Sequence, residues 1–460
     1  MKTKKIFIVL QFFCCLSFTS CQKFLDAKPD KKQVILSSLK DCQALLDDYR
    51  TMNASFPFDG EVSADNYYLL GSAWLALRDV KDRDTYIWSP MGEHFISQWL
   101  NPYKVIYNAN LILETLDKLP KGQGQQKEWN EIKGAALFYR AYAFYQVAVL
   151  FAQPYKAETA NRLPGIPIRL TPDLAFQSER GTLQQTYSQI IEDLKESLEL
   201  LPTNQILPVR PSKAAAYAAL ARTYLTMEDY GKAGAMADEC LKLKNALINY
   251  NDLNLNSAAP MKQFNEEVIF HSVALTATPL AISICKVDPD LMLSYVSPDL
   301  RKKAFFKLNT DNSYSFKGNY DGKANGILFN GLTTAEIYLI RAECNARAED
   351  VAGAMRDLNT LMRNRWDKNI TYIPFVALNA LDALKQVLQE RRKELVFRGL
   401  RLTDLRRLNS DPRFAISIAR KLTIEGVEQT YSLPANDPRY TLLIPELVMQ
   451  STNMIQNPRP

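Results

Sequence analysis

Apolar residues recur at three- and four-residue spacing in block after block of this chain, the period of helices that bury one face. In "GTLQQTYSQIIEDLKESLELLP", Tyr187, Ile190, Ile191, Leu194, Leu198 and Leu201 form such a face, Thr182 with Gln185 reads as a capping box, and Pro202 marks the stop. The next block, "RPSKAAAYAALARTYLTMEDYGKAGAMADECL", predicts two antiparallel helices. Ser212 is the expected N-cap, the turn falls at Glu228 and Asp229, and the small residues Ala221 and Ala233 allow close approach. "TTAEIYLIRAECNARAEDVAGAMRDLNTLMRNR" repeats that register: Ala342 and Ala354 match Ala221 and Ala233, Leu358 and Leu361 match Ala237 and Cys240, and Thr333 with Glu336 caps the start. Further helices are expected from Pro102 to Leu119, from Trp129 to Phe151 and from Leu381 to Arg398, the last closed by Gly399. The pattern predicts a mostly α fold: a tetratricopeptide-like helical repeat scaffold, an α-α superhelix, with long irregular loops and a minor β-hairpin component.

The loops are residues 53–98, 244–331 and 409–442, where helical period is lost. "EVIFHSVAL" reads as a short strand, "NSYSFKGNYDGKANG" as a Gly/Asn/Tyr-rich loop, and "RKLTIEGVEQTYSLP" as a hairpin turning near Glu425 and Gly426. Loops this long are functional or disordered, and these are too aromatic for simple disorder.

The amino-terminal pattern is of another kind. Lys2, Lys4 and Lys5 precede an apolar run from Ile6 to Thr19, which reads as a signal peptide over residues 1–20. Cys21 follows small residues and resembles the lipobox cysteine that accepts a diacylglycerol, although Phe18 stands where such boxes carry Leu. Residues 21–460 are then the expected mature body. Without the three leader lysines the formal net charge of +6 falls to +3, too little for the concentrated basic face that nucleic acid requires. No later apolar run reaches membrane-spanning length; Gln146 interrupts the longest, Ala141 to Ala152.

Little in the composition points to catalysis or metal. Cys42, Cys240, Cys285 and Cys344 lack metal-ligand spacing and read as small buried hydrophobes, and the two histidines, His94 and His271, read as structural. No phosphate-cradling glycine loop, serine nucleophile elbow or isolated carboxylate pair stands out, and nothing calls for a cofactor. The alternating charges from Glu390 to Arg407 predict internal ion pairs together with a solvated face. Aromatic clustering is the main clue to binding. Three of the five tryptophans, Trp74, Trp88 and Trp99, lie near Tyr67, Tyr68 and Tyr86, interleaved with Asp65, Asn66, Arg78 and Asp84. Rings that stack on sugar C–H faces, beside groups that pair with hydroxyls, suit a glycan. Trp99 heads a helical stripe and reads as core, so the candidate binding residues are Asp65, Asn66, Tyr67, Trp74, Arg78, Trp88, Tyr314 and Tyr320, each weighed against ordinary packing.

Taken in order, "CQKFLDAKP", "WLNPYKVIYNANLILETLD", "IKGAALFYRAYAFYQVAVLFAQPY", "YSQIIEDLKESLELLP", "RPSKAAAYAALARTYL", "EIYLIRAECNARA", "ERRKELVFRGLRLTDLRRLN" and "LLIPELVMQSTNMIQNP" resemble the SusD/RagB family of outer-membrane nutrient-binding lipoproteins. The resemblance implies one body with a SusD-like part over about 21–230 and a SusD/RagB part over about 265–460. It also implies four tetratricopeptide-like units and a lipid-anchored, surface-exposed position on the outer membrane. It implies further that a glycan, or a peptide, is handed to a SusC-like TonB-dependent transporter. Arg398, Leu400 and Thr403 depart from the family pattern, at positions expected to be structural. Two other readings remain at this stage: a secreted glycan-processing enzyme, which needs an acid pair in the loops, and a peptide- or protein-binding repeat module, which needs a bare concave helix face.

Overall fold

Eight helices form the scaffold, each packed against the next by small and apolar residues at helical spacing. The computed structural model describes residues 36–120 and 124–460. The leader, Cys21 and "CQKFLDAKP" lie outside the described residues. Among the described residues, helices α1 (Ser97–Lys118) and α2 (Gln126–Phe151) are the longest, followed by α3 (Leu183–Leu200). The expected capping box opens α3: the Thr182 hydroxyl accepts from the Gln185 N–H at 3.1 Å, and the Gln185 side chain accepts from the Thr182 N–H at 2.8 Å. Next come α4 (Lys213–Thr226), capped by Ser212, and α5 (Tyr230–Leu243), then α6 (Thr334–Arg347), capped by Thr333, α7 (Val351–Arg363) and α8 (Ala380–Glu394).

The repeat extends to turn geometry. Glu228 (φ 62°) and Glu349 (φ 64°) each take the left-handed conformation, and the following Asp229 and Asp350 each cap a helix. Ala221, Ala233, Ala342 and Ala354 are fully buried where these helices cross. In α2 every residue from Ala136 onward is buried, so the apolar run there is core. No helix among the described residues is long and apolar enough to cross a membrane.

Three helix limits differ from expectation by more than one residue: α2 begins at Gln126 rather than Trp129, and two others have a clear cause. α1 begins five residues before Pro102, which sits in the second turn at the loss of one backbone bond. α8 stops at Glu394 rather than Arg398, because Phe397 turns left-handed (φ 57°) and places its ring 4.7 Å from that of Phe316. Gly399 (φ 71°) therefore opens the helix Arg401–Leu408 instead of closing α8. Residues 53–98 contain helices too short to show a period, among them Asp59–Val62, Gly71–Leu75 and Val80–Ile87.

The charge run does form internal ion pairs, but the solvated face is not there: Glu390, Arg391, Lys393, Glu394, Asp404 and Arg407 are all buried. Fully buried Arg301 bonds Asp299 and Glu394, and fully buried Arg365 bonds Glu394 at 2.8 Å and Glu267 at 2.6 Å. Similar pairs, Arg140 with Asp193 and Arg222 with Glu336, tie α2 to α3 and α4 to α6. The departures from the family pattern at Arg398 and Leu400 are buried, the Arg398 guanidinium lying 3.5 Å from the Tyr320 ring centroid. Cys42, Cys240, Cys285 and Cys344 are free and buried. His94 contacts Asp59 and Thr85, and His271 contacts Tyr49.

Short antiparallel ladders hold the loops. They pair β1 (Tyr67–Tyr68) with β5 (Lys286–Val287), β2 (Pro164–Pro167) with β3 (Arg180–Thr182), and β4 (Val268–Phe270), the strand expected in "EVIFHSVAL", with β8 (Leu332–Thr333). β6 (Phe306–Leu308) pairs with β7 (Tyr314–Phe316), and β9 (Ile418–Ile424) with β10 (Val427–Leu433). Glu425 (φ 51°) and Gly426 (φ 81°) make the two-residue turn between β9 and β10, both left-handed as that hairpin class requires.

Candidate functional site

The irregular segments 59–96 and 277–330 and the β9–β10 hairpin share a hydrophobic core that includes Tyr67, Tyr86, Phe316, Phe397 and Leu422. Arg420 organises it. Along β9 the residues Ile418, Arg420 and Leu422 point inward, so a guanidinium enters the core at a position that the alternation reserves for an apolar side chain. It donates to the carbonyls of Val62 (2.8 Å), Ala64 (2.6 Å) and Tyr86, and lies 3.7, 4.7 and 5.0 Å from the ring centroids of Tyr86, Trp88 and Tyr67. Three distant aromatics are thereby fixed around one cation.

Five of the eight candidate residues belong to this inner layer or its supports. Tyr67 is buried, and its hydroxyl donates to the Val62 carbonyl at 3.0 Å. Trp88, 4% exposed and left-handed at φ 56°, donates from its indole to the Ser63 carbonyl at 2.9 Å. Asn66 is buried and donates to Glu61 at 2.8 Å. Asp65 accepts a two-pronged pair from Arg401 at 2.6 and 2.8 Å; burial opposes its charge, yet the guanidiniums of Arg401 and Arg392 hold it well below the usual carboxylate range. Tyr320 is buried and donates to Glu267 at 2.6 Å. Trp99, expected as core, is buried against Phe151, ring centroids 5.2 Å apart.

The other three lie on the outside. Gly71–Leu75 packs so tightly on β9 that a Cβ at Gly71 would sit 1.9 Å from the Thr423 carbonyl oxygen. That approach sets half-buried Trp74 against Tyr431 of β10, ring centroids 6.5 Å apart, with the Trp74 indole donating to the Arg83 carbonyl. Arg78 is exposed nearby in sequence, as are Leu70 and Leu75. On β1, half-buried Tyr68 pairs across the ladder with Lys286, which bonds Asp311 at 2.9 Å; Asp311 leads into β7, where half-buried Tyr314 has the Lys302 ammonium 5.9 Å from its ring centroid. Trp74 with Tyr431, and separately Tyr68 and Tyr314, are the half-buried aromatics on the outside of these loops, and together they make up the outer aromatic layer. The cavity beside β7, lined by Ile282, Phe316, Lys317 and Phe397 among others, has a volume of about 20 Å³, room for one water.

Electrostatics give little sign of a proton-transfer pair. Burial pushes Glu61 up to about 7, and with Asp65 held low the two carboxylates are driven apart as an acid and a base would be. Glu61 is fully buried, however, with one oxygen accepting from Asn66 and the other from the Gly399 N–H at 3.0 Å. Among the described residues no cluster of three or more His, Cys, Asp or Glu could hold a metal.

A family model described as "Starch-binding associating with outer membrane" matches residues 23–225, and a model described as "SusD family" matches residues 314–458. The chain belongs to the SusD/RagB family. A SusD-like protein P2 of Formosa agariphila is 30% identical over 141 residues, 30% of this chain and 25% of that relative, so the match spans a quarter of the relative's length. A solved structure from Bacteroides vulgatus, described as a candidate sugar-binding protein, superposes with a TM-score of 0.74 at 23% identity, covering 93% of this chain and 99% of that one. A SusD superfamily protein from Bacteroides thetaiotaomicron gives 0.73 at 22% identity, covering 92% and 100%. At these identities the two structures show a shared SusD-like fold.

In this SusD-like chain the candidates Asp65, Asn66, Tyr67, Trp88 and Tyr320 come together with Arg420 or with the buried ion network, whereas Trp74, Arg78 and Tyr314 do not. Sequence reasoning missed Arg420 and Tyr431. A signal for the first existed: in "IARKLTI" the alternation puts Arg420 on the same face as Ile418 and Leu422.

Proposed function

We propose that this protein is a surface-exposed outer-membrane lipoprotein, anchored through Cys21, that binds a glycan without cleaving it and passes it to a SusC-like TonB-dependent transporter. The observation that carries the binding step is the outer aromatic layer of Tyr431, Trp74, Tyr68 and Tyr314, held on loops by short ladders above a packed core. Half-exposed rings can stack on the C–H faces of sugar units, and Arg78 supplies a charged donor for hydroxyls. The proposed contacts are therefore Trp74, Arg78 and Tyr314 from the candidate set, joined by Tyr68 and Tyr431. Asp65, Asn66, Tyr67, Trp88 and Tyr320 act as supports, each holding at least one side-chain hydrogen bond within the protein.

The matched models support this reading through their descriptions, which name starch binding, the outer membrane and SusD. Glu61 supports binding over hydrolysis, because a carboxylate with both oxygens engaged in the core cannot reach a glycosidic oxygen. The test is to purify the full chain from its host in mild detergent and run it through gels containing candidate polysaccharides. Retardation by at least one glycan that is recovered at its original length is expected. Equal mobility in every gel, with retention of peptides instead, would replace the glycan reading by the peptide one; shortened glycan would establish an enzyme. Co-purification of a large barrel is the expected sign of the transporter.

A further inference from the structure

A second site lies apart from the aromatic layer, where the end of α2 meets the helix Arg401–Leu408 and the segment Asn436–Thr441. A cavity of about 140 Å³ opens there, walled by Pro154, Pro438 and Pro458. Three buried side chains line it, each with a polar atom that has no partner within hydrogen-bond distance among the described residues: Arg406 Nε, Asn409 Nδ2 and the Tyr440 hydroxyl, the last two facing each other. Arg406 is 6% exposed, and Asn409 and Tyr440 are each 2% exposed. Buried polar atoms are nearly always paired, and three unpaired ones converging on one cavity mark a built site.

The chemistry of the three selects the ligand. Arg406 Nε and Asn409 Nδ2 can only donate, and the Tyr440 hydroxyl can donate. The charge in the wall is also uncompensated. Arg406 gives its two terminal nitrogens to the main-chain carbonyls of Val149 and Ala152, at the end of α2, and pairs with no carboxylate among the described residues. Burial without an acidic partner lowers its guanidinium to about 10. Asp437 lines the same cavity, but Arg439 binds both of its oxygens, at 2.9 and 2.8 Å. A cation is therefore repelled, and a neutral ligand leaves the charge unmet. At about 140 Å³ the cavity is close in size to one that takes benzene, so a planar anion of up to about six heavy atoms fits, formate and acetate among them.

We propose that this cavity binds a small carboxylate anion, of the size of formate or acetate, through Arg406, Asn409 and Tyr440. The planar guanidinium and the two flanking donors match the in-plane lone pairs of a carboxylate. The site stands independently of the glycan-binding reading, since it shares no residue with the outer aromatic layer.

The test uses the full chain in detergent, melted by intrinsic tryptophan fluorescence. Sodium formate or acetate is titrated at constant ionic strength, balanced with gluconate, a six-carbon anion too large for the cavity. A midpoint that rises with the logarithm of formate or acetate concentration is expected. Tyr440→Phe removes one hydroxyl and should weaken the apparent affinity about fivefold, the equivalent of one hydrogen bond. Asn409→Asp keeps the oxygen that accepts from the Ile416 N–H at 3.0 Å and places a carboxylate in the cavity, so it should abolish the response. A midpoint that does not respond, or responds equally in the wild type and Tyr440→Phe, means that the cavity holds only water and overturns the proposal. Tyr440→Phe keeps the test decisive even if Asn409→Asp does not fold.

Discussion

Replacing Arg420 by Met should weaken the protein at the place where the loops are joined to the hairpin. The side chain donates to three main-chain carbonyls, those of Val62, Ala64 and Tyr86, and its guanidinium lies 3.7 Å from the Tyr86 ring centroid. A hydrogen bond from a charged donor contributes about 1.5 to 3 kcal/mol, and a desolvated cation–π contact about 2 kcal/mol. The full sum is not expected, because Met also removes a buried guanidinium that pairs with no carboxylate among the described residues, and with it a desolvation cost of several kcal/mol. The net loss should be about 3 to 5 kcal/mol, because three buried carbonyls are left without a donor at about 1 to 3 kcal/mol each, offset in part by the desolvation relieved. Arg420→Lys should recover little, since an ammonium cannot span three carbonyls in one plane. Denaturant titration gives the overall loss, and hydrogen exchange locates it: amides between Val62 and Trp88 should exchange faster while those of α4 and α5 keep their protection. A loss below about 1 kcal/mol, or unchanged exchange in that segment, would refute the hub role of Arg420.

Other outcomes follow from the same structure. Because the folded protein raises Glu61 from 4.5 to about 7, folding takes up a proton between those values; the group's stabilisation is complete below pH 4.5 and is lost as pH rises through 7. The unfolding free energy of the wild type relative to Glu61→Gln should therefore fall by about 3 kcal/mol between pH 4.5 and 8, and a pH-independent difference would rule out the buried protonated carboxyl. Gly71→Ala should displace Gly71–Leu75 from β9, because its Cβ would meet the Thr423 carbonyl oxygen at 1.9 Å, and glycan affinity should drop while α-helical circular dichroism stays constant. Cys21→Ser should release the protein from the membrane fraction, since acyl chains anchor at about 0.8 kcal/mol per buried CH₂; retention of the variant would sink the lipid anchor.

What was legible in the sequence was local. Capping at Thr182, Ser212 and Thr333, the turn at Glu228, and the Glu425–Gly426 hairpin each depend on neighbours within a few positions. α8 was read four residues too long because Leu395, Val396 and Phe397 extend the apolar pattern, and only packing against Phe316, far along the chain, turns Phe397 out of the helix. The alternating signs of the charge run imply one face in water, because they do not reveal that Arg301 and Arg365 lie inside to meet Glu394. The same limit governs the site. In loops without period nothing tells an inward ring from an outward one, so Trp88 and Trp74 looked alike, and Arg420 acts on carbonyls more than 330 positions away.

Affinity measured on single ring truncations tests the binding claim most directly. For a glycan that the wild type retards in an affinity gel, calorimetry on Trp74→Ala and Tyr314→Ala should show losses of about 1 to 3 kcal/mol each, roughly 5- to 150-fold in Kd, with the glycan recovered intact. Wild-type affinity in both variants would contradict a binding surface made by the outer aromatic layer.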